Sequence, residues 1–148
     1  MSTENTKAVV LRMVEQSMID GDLDAAIANY APDFTYHNPV MKGMPPLPHT
    51  TDAVRQLIGA TRDAFPDMRY AIDAVIAEGD KAAVLYTWSA TNRGPLAGLP
   101  PTGRHVTATG AVVCRVADGR IVEQWDIDDR LDVMQQLGLL PAAGAPAS

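Results

Sequence analysis

The chain has 148 residues, 47 % of them apolar, with a formal net charge of -6 and a pI near 4.8. That length suits one domain with one core, and the acidic balance argues against a broad nucleic-acid or anionic-membrane footprint. No stretch approaches the ~18 consecutive apolar residues of a membrane span, and a single cysteine, Cys114, excludes an intrachain disulfide.

Met1-Ser2-Thr3-Glu4-Asn5 lacks the basic-then-apolar order of a signal peptide, so a cytoplasmic protein is expected. One domain is expected over residues 1–148, with its structured core at about 5–140. Residues 4–19 read as a helix, because Val10, Met13, Val14 and Ser17 recur at helical spacing. Gly21 breaks it, and Asp22 can cap a second short helix with Leu23, Ala26, Ile27 and Tyr30 on one face. Pro32 is expected to end that helix.

Phe34 to Pro39 alternates briefly, as a short strand would, and residues 39–49 form a proline-rich irregular loop. Thr50 or Thr51 can cap a third helix to about Ala64, with Val54, Leu57, Ile58, Thr61 and Phe65 on its stripe. The period then changes from helical to alternating. Met68, Tyr70, Ile72, Ala74 and Ile76 mark one strand face, and Ala82, Val84, Tyr86 and Trp88 the next. Residues 91–104 carry too many breakers for regular structure. Val106 to Val116 alternates again, and Ala117-Asp118-Gly119 turns the chain into Ile121 to Ile127. A last helix is expected to carry Leu131, Met134 and Leu137 inward, ending at Gly138, before a mobile tail at 141–148. Such a meander needs its apolar face covered, and the early helices can cover it. The expected class is α+β, with a strongly curved sheet wrapped around a cavity.

Chemistry is most concentrated in Asp126, Asp128 and Asp129. Uniform alternation puts Glu123, Trp125 and Ile127 on one face, and Gln124, Asp126 and Asp128 on the other. If Trp125 faces a cavity, Asp129 lies near its mouth. A carboxylate beside a large ring and away from water has a raised pKa and can exchange protons near neutrality. The alternative is that the aspartates are solvated and Asp128 or Asp129 caps the last helix. The solvated reading is expected for Asp126 and Asp128; for Asp129 spacing leaves both open.

His37 and Asn38 precede Pro39, where an imidazole could exchange protons or orient a carbonyl, or serve structure alone. His105 opens a strand after the irregular loop and carries the same two readings, whereas His49 is expected to be exposed. The histidines show no metal spacing, so no metal site is expected. Trp88, Tyr86, Tyr70, Tyr36 and Trp125 either line an apolar pocket or fill the core. Arg115 faces solvent or meets a carboxylate in the cavity, and Cys114 reads as a small buried hydrophobe. Phosphate-loop, dinucleotide and serine-hydrolase motifs are missing.

Several segments together resemble the SnoaL-like polyketide cyclases, within the wider group of ketosteroid isomerase, scytalone dehydratase and nuclear transport factor 2. They are the early helix, Phe34 with His37-Asn38-Pro39, Phe65-Pro66-Asp67-Met68, the loop Gly98 to Arg104, Asp118 to Trp125 with Asp129 four residues on, and Gln136-Leu137-Gly138. The resemblance implies a cone-shaped, highly curved mixed sheet closed by helices around a deep pocket. It implies that Asp129 is the acid/base of an intramolecular aldol closure on a hydrophobic polycarbonyl compound, with no metal or organic cofactor required. It also implies a homodimer. An isomerase, dehydratase, epoxide-opening enzyme or hydroxylase of the same fold is the alternative, and a non-catalytic small-molecule binding protein is another. One departure stands out. The cyclases place a histidine on the strand before the catalytic aspartate, where this chain has Ala111, Val112, Val113, Cys114 and Arg115. Either His37, His105 or Arg115 takes that role, or the substrate class differs.

Overall fold

A computed structural model describes residues 2–37 and 49–141. Asn38, the proline-rich stretch 39–48 and the tail from 142 onward lie outside the described residues.

Helix α1 (Thr3–Val14) is capped by Ser2, whose hydroxyl accepts from Asn5 N at 3.1 Å. It runs on as a π-helical segment, Glu15–Asp20, and stops at Gly21, whose φ of 72° is the left-handed conformation glycine adopts without strain. Asp22 caps α2 (Leu23–Ile27) through Ala25 N at 3.1 Å. The helix ends before Pro32, not at it. Pro32 instead sits in strand β1 (Tyr30–His37), an edge strand that tolerates a missing N–H. Thr50 caps α3 (Thr51–Ala64) through Ala53 N at 3.1 Å.

Four strands follow: β2 (Arg69–Glu78), β3 (Lys81–Thr91), β4 (His105–Ala117) and β5 (Arg120–Asp128). They form an antiparallel meander, and β1 joins its end parallel to β5, giving the order β1-β5-β4-β3-β2. The mixed sheet is curved and unclosed, and the α+β class expected from sequence is the one observed. Helix α4 (Arg130–Gln136) follows β5 directly.

The core lies between the N-terminal helices and the inner face of the sheet. Val10 and Val14 of α1 meet Phe34, Val84, Val106, Val116 and Ile121, all with exposures of 1–2 % or less. Along β3 and β4 the even-numbered residues point inward without interruption. In β2 an extra residue, Asp73, lies between the pairs Ile72–Tyr86 and Ala74–Leu85. This bulge reverses the alternation, so Val75 and Ala77 pack inward and Ile76 is 59 % exposed. Leu131 is 60 % exposed as well; Val133 and Leu137 are the residues that pack α4 inward.

The segment 92–104 is held by one buried side chain. Asn92, 1 % exposed, donates to Ala64 O and Gly94 O at 3.3 and 2.9 Å and accepts from Thr102 N at 2.8 Å. Breakers make this stretch look irregular, yet its polar backbone groups are satisfied by the asparagine at its base and by backbone pairs such as Arg93 N to Ala64 O and Gly103 N to Asn92 O.

Candidate active site at the inner face of the last strand

The site depends on a break in β5. Val116 pairs with Ile121, and its neighbour Arg115 pairs with Glu123, so Val122 has no partner on β4. Such a bulge inverts every side chain beyond it. Ile121 is fully buried before the break. After it, Gln124 and Asp126 face inward, while Glu123, Trp125 and Ile127 face outward. Uniform alternation had led to the reverse expectation, with Trp125 inside and Asp126 solvated.

Asp126 receives a hydrogen bond on each carboxyl oxygen. The Tyr36 hydroxyl donates to Oδ2, and Gln124 Nε2 donates to Oδ1 at 2.8 Å. Cross-strand pairing explains the meeting, since Tyr36 of β1 lies beside Gln124 in the parallel ladder. Burial raises the Asp126 pKa above the ordinary carboxylate value; the hydrogen bonds from Tyr36 and Gln124 pull it down, Asp128 pushes it up and Arg130 pulls it down. Burial is the largest cause, and the net direction is upward.

Neutral phenols surround this carboxyl. Burial, then the Asp126 charge, holds the Tyr36 hydroxyl far above its ordinary pKa, so it remains a proton-bearing donor. Tyr70 is pushed up to about 12, mainly by burial, and Tyr86 is raised by burial and by Asp126. The rings of Tyr70 and Tyr86 meet edge to face at 5.6 Å. Trp88, 9 % exposed, packs edge-on against Phe65 at 5.4 Å.

The other predicted residues lie elsewhere. Asp129 is exposed and caps α4, accepting from Asp132 N at 3.1 Å. Asp128 pairs with Arg130 at 3.0 Å. On the outer face Glu123 accepts from His37 Nε2 at 2.8 Å and from Arg115 Nε at 3.1 Å. His37 first, then Arg115, lowers the Glu123 pKa. Trp125 stacks on the His37 ring at 5.0 Å and 9°. His105 is exposed at the start of β4, 3.1 Å from Thr91 Oγ1. Among the described residues no three His, Cys, Asp or Glu side chains form a group that could hold a metal ion.

The sequence model for the SnoaL-like polyketide cyclases matches residues 8–137. The chain belongs to this family. Among solved structures, IdmH of Streptomyces antibioticus, a proposed polyketide cyclase, is 31 % identical with a TM-score of 0.75, over 90 % of this chain and 98 % of its own. AclR of Streptomyces galilaeus, a proposed hydroxylase, is 28 % identical with a TM-score of 0.78, over 98 % and 87 %. A proposed SnoaL-like cyclase from Jannaschia sp. CCS1 shares the fold, with a TM-score of 0.80 at 22 % identity over 94 % and 95 %. No match is found among curated proteins.

For this SnoaL-like chain, none of the three candidate substitutes for the missing histidine stands beside Asp126. His37 and Arg115 are engaged by Glu123 on the opposite face, and His105 is held at the far end of β4. Tyr36 and Gln124 flank the carboxyl instead. The signal that could have found Gln124 is the unbroken apolar face of β4. Cys114 is inward, and without a bulge its partner would be Glu123, a carboxylate set against an apolar core. With the bulge its partner is Gln124.

Proposed function

We propose that this protein catalyses intramolecular aldol ring closure of a hydrophobic polycarbonyl compound, with Asp126 as the acid/base in place of the expected Asp129. The observation that carries the reading is a partly buried carboxyl on the inner face of the sheet, of raised proton affinity, held on both oxygens and faced by neutral phenols. Membership of the cyclase family and the likeness to IdmH support the reaction class.

The ionised Asp126 removes a proton from a carbon flanked by two carbonyls. The electron pair of that C–H bond becomes the enolate, which attacks a ketone carbon of the same molecule. The new alkoxide takes the proton back from Asp126, so acid and base balance over one turnover. Tyr70 and Tyr86 can donate to the enolate oxygen, where charge develops. Holding both ends of one substrate in a reactive pose contributes independently of any acid or base. Replacing Asp126 with Asn and following turnover of a methyl-ester anthraquinone-type polycarbonyl tests the assignment. A loss of about a hundredfold or more is expected for a missing acid/base group, and unchanged turnover would sink it.

The likeness to AclR supports a second reading, hydroxylation of a related polycyclic compound. Mass spectrometry separates the two: an aldol product keeps the substrate's atoms apart from any lost water, and a hydroxylated one gains an oxygen atom.

A second copy of the chain is the partner we propose for the outer face. Ala74, Leu85, Ala111 and Ile127 line up across β2 to β5, as do Ile76, Ala83, Val113 and Trp125. Ile76, Leu85 and Ile127 are 59, 37 and 58 % exposed. The charged row Glu78, Lys81, Arg115 and Glu123 borders this apolar band. An apolar patch with a polar rim marks an interaction surface. Light scattering at micromolar concentration is expected to give a dimer, and a monomer would contradict it.

A further inference from the structure

Behind Asp126 lies a buried polar layer that the proton transfer itself does not touch. Tyr30 and Gln124 are 6 and 5 % exposed. The Tyr30 hydroxyl donates to Gln124 Oε1 at 2.5 Å, and the Cys114 thiol approaches the same oxygen at 3.8 Å. The other end of the amide, Nε2, donates to Asp126 Oδ1 at 2.8 Å.

An amide can present either its oxygen or its nitrogen to a neighbour, and the surrounding partners decide which. Turned over, Gln124 would set a carbonyl oxygen against a carboxylate oxygen. Its NH2 would meet the Tyr30 hydroxyl, which could then only accept and would lose the acceptor for its own proton. Both outcomes are costly where water does not reach. Tyr30 is itself fixed: it starts β1 opposite Ile121, and its ring is tilted against Phe34 at 4.8 Å.

We propose that Tyr30 is a positioning residue, which through the Gln124 amide holds a hydrogen-bond donor against Asp126 Oδ1 and so favours the ionised carboxylate. This inference rests on Asp126 being the acid/base and adds to it a residue that touches neither substrate nor carboxyl. The amide converts a phenol deep in the core into a donor at the reacting group.

The other titratable and charged groups facing Asp126 come from every neighbouring element: Tyr36 on β1, Tyr70 on β2, Tyr86 on β3, Cys114 on β4, Asp128 on β5 and Arg130 on α4. None of these groups is itself substituted in the Tyr30 and Gln124 variants, and only Cys114 among them bonds the amide oxygen.

The test is a 13C-carboxyl nuclear-magnetic-resonance titration of Asp126 in the wild type, Tyr30→Phe, Gln124→Met and the double variant. Tyr30→Phe keeps the ring and removes the donor. It should raise the apparent pKa of Asp126 by about one unit, a tenfold change in proton affinity. Gln124→Met should raise it at least as much. In the Gln124→Met background the Tyr30 substitution should add nothing, since the route between them is gone. An unshifted titration in Tyr30→Phe, or equal shifts that simply add, would overturn the proposal. The wild type supplies a check that needs no variant: the Gln124 side-chain NH2 resonances should follow the Asp126 titration, and resonances indifferent to it would also overturn the inference. The acidic limb of the kcat/KM profile should move with the titration. If the carboxyl shifts and the rate profile does not, the acid/base assignment fails while the positioning role stands.

Discussion

Gly110 lies directly against the hydroxyl of Tyr86. A methyl group at position 110 would come within 2.7 Å of the phenol oxygen and 3.1 Å of Ile127 O. The two residues are cross-strand partners on β4 and β3, both on the inner face of the sheet. The missing side chain therefore leaves the space in which the phenol rests.

Gly110→Ala is accordingly expected to push Tyr86 out of position while leaving the fold intact. Overpacking of this kind costs about 1–3 kcal/mol. Turnover should fall by about tenfold or more if Tyr86 serves the enolate oxygen, by analogy with the loss of a fixed donor. Steady-state kinetics beside a thermal melt would read both effects. Full activity at unchanged KM would remove Tyr86 from the site.

Asp126→Asn should separate stability from activity through pH. Because folding raises the Asp126 pKa, the folded state holds the proton more tightly than the unfolded chain. The contribution of the protonated carboxyl is fully present below the unfolded value and is lost as pH rises through the folded one. An asparagine is neutral throughout, and it can still accept from Gln124 and donate to a rotated Tyr36 hydroxyl. The melting temperature of Asp126→Asn relative to wild type should thus climb as pH rises above the ordinary carboxylate range and through the raised pKa of Asp126. A gap that does not vary with pH would contradict the raised proton affinity.

Asp129 offers a contrast on the same strand end. Its carboxyl caps α4 through Asp132 N. Asp129→Ala should cost about 1 kcal/mol, the usual effect of losing a cap, whereas Asp129→Asn should retain the cap and most of the turnover. Urea denaturation and kinetics on the pair decide the matter; a hundredfold fall in kcat for the asparagine variant would return the acid/base role to Asp129.

Asn92→Ala should loosen the 92–104 segment. It leaves Gly94 O without its side-chain donor and Thr102 N without its acceptor, both partly or fully buried, while Ala64 O keeps the backbone donors Arg93 N and Gly94 N. Each such orphan costs about 1–3 kcal/mol. Proteolysis within the segment should become faster, and resistance equal to wild type would show that the loop is held by other contacts.

Much of the architecture is readable from residue order. Val10 marks α1 and Ser17 its π-helical continuation, Thr50 marks the start of α3, and the even-numbered face of β4 runs from Val106 to Val116 as alternation predicts. The site was not readable in the same way, because strand parity is a counting argument and the count fails at an unpaired residue. Asp73 and Val122 are ordinary in type; neither is a glycine or proline that would announce a bulge. The same blindness affected Leu131, where helical spacing allowed more than one stripe and Val133 with Leu137 took the core. Helical spacing puts Tyr30 on the face of α2, and nothing in a tyrosine says that its hydroxyl will meet a glutamine 94 positions away.

Val122 thus behaves less like a contact than like a letter that sets a reading frame. Its side chain bonds to none of the groups around Asp126, yet its exclusion from the ladder sets their face: paired regularly with Arg115, it would bring Glu123 and Trp125 to the core and turn Gln124 and Asp126 out to water. Point substitution at this position should be mild. Deletion should join Ile121 to Glu123 in regular alternation and keep Gln124 and Asp126 inward, so a chain one residue shorter here would carry the same site, whereas the same residues paired without a bulge would not.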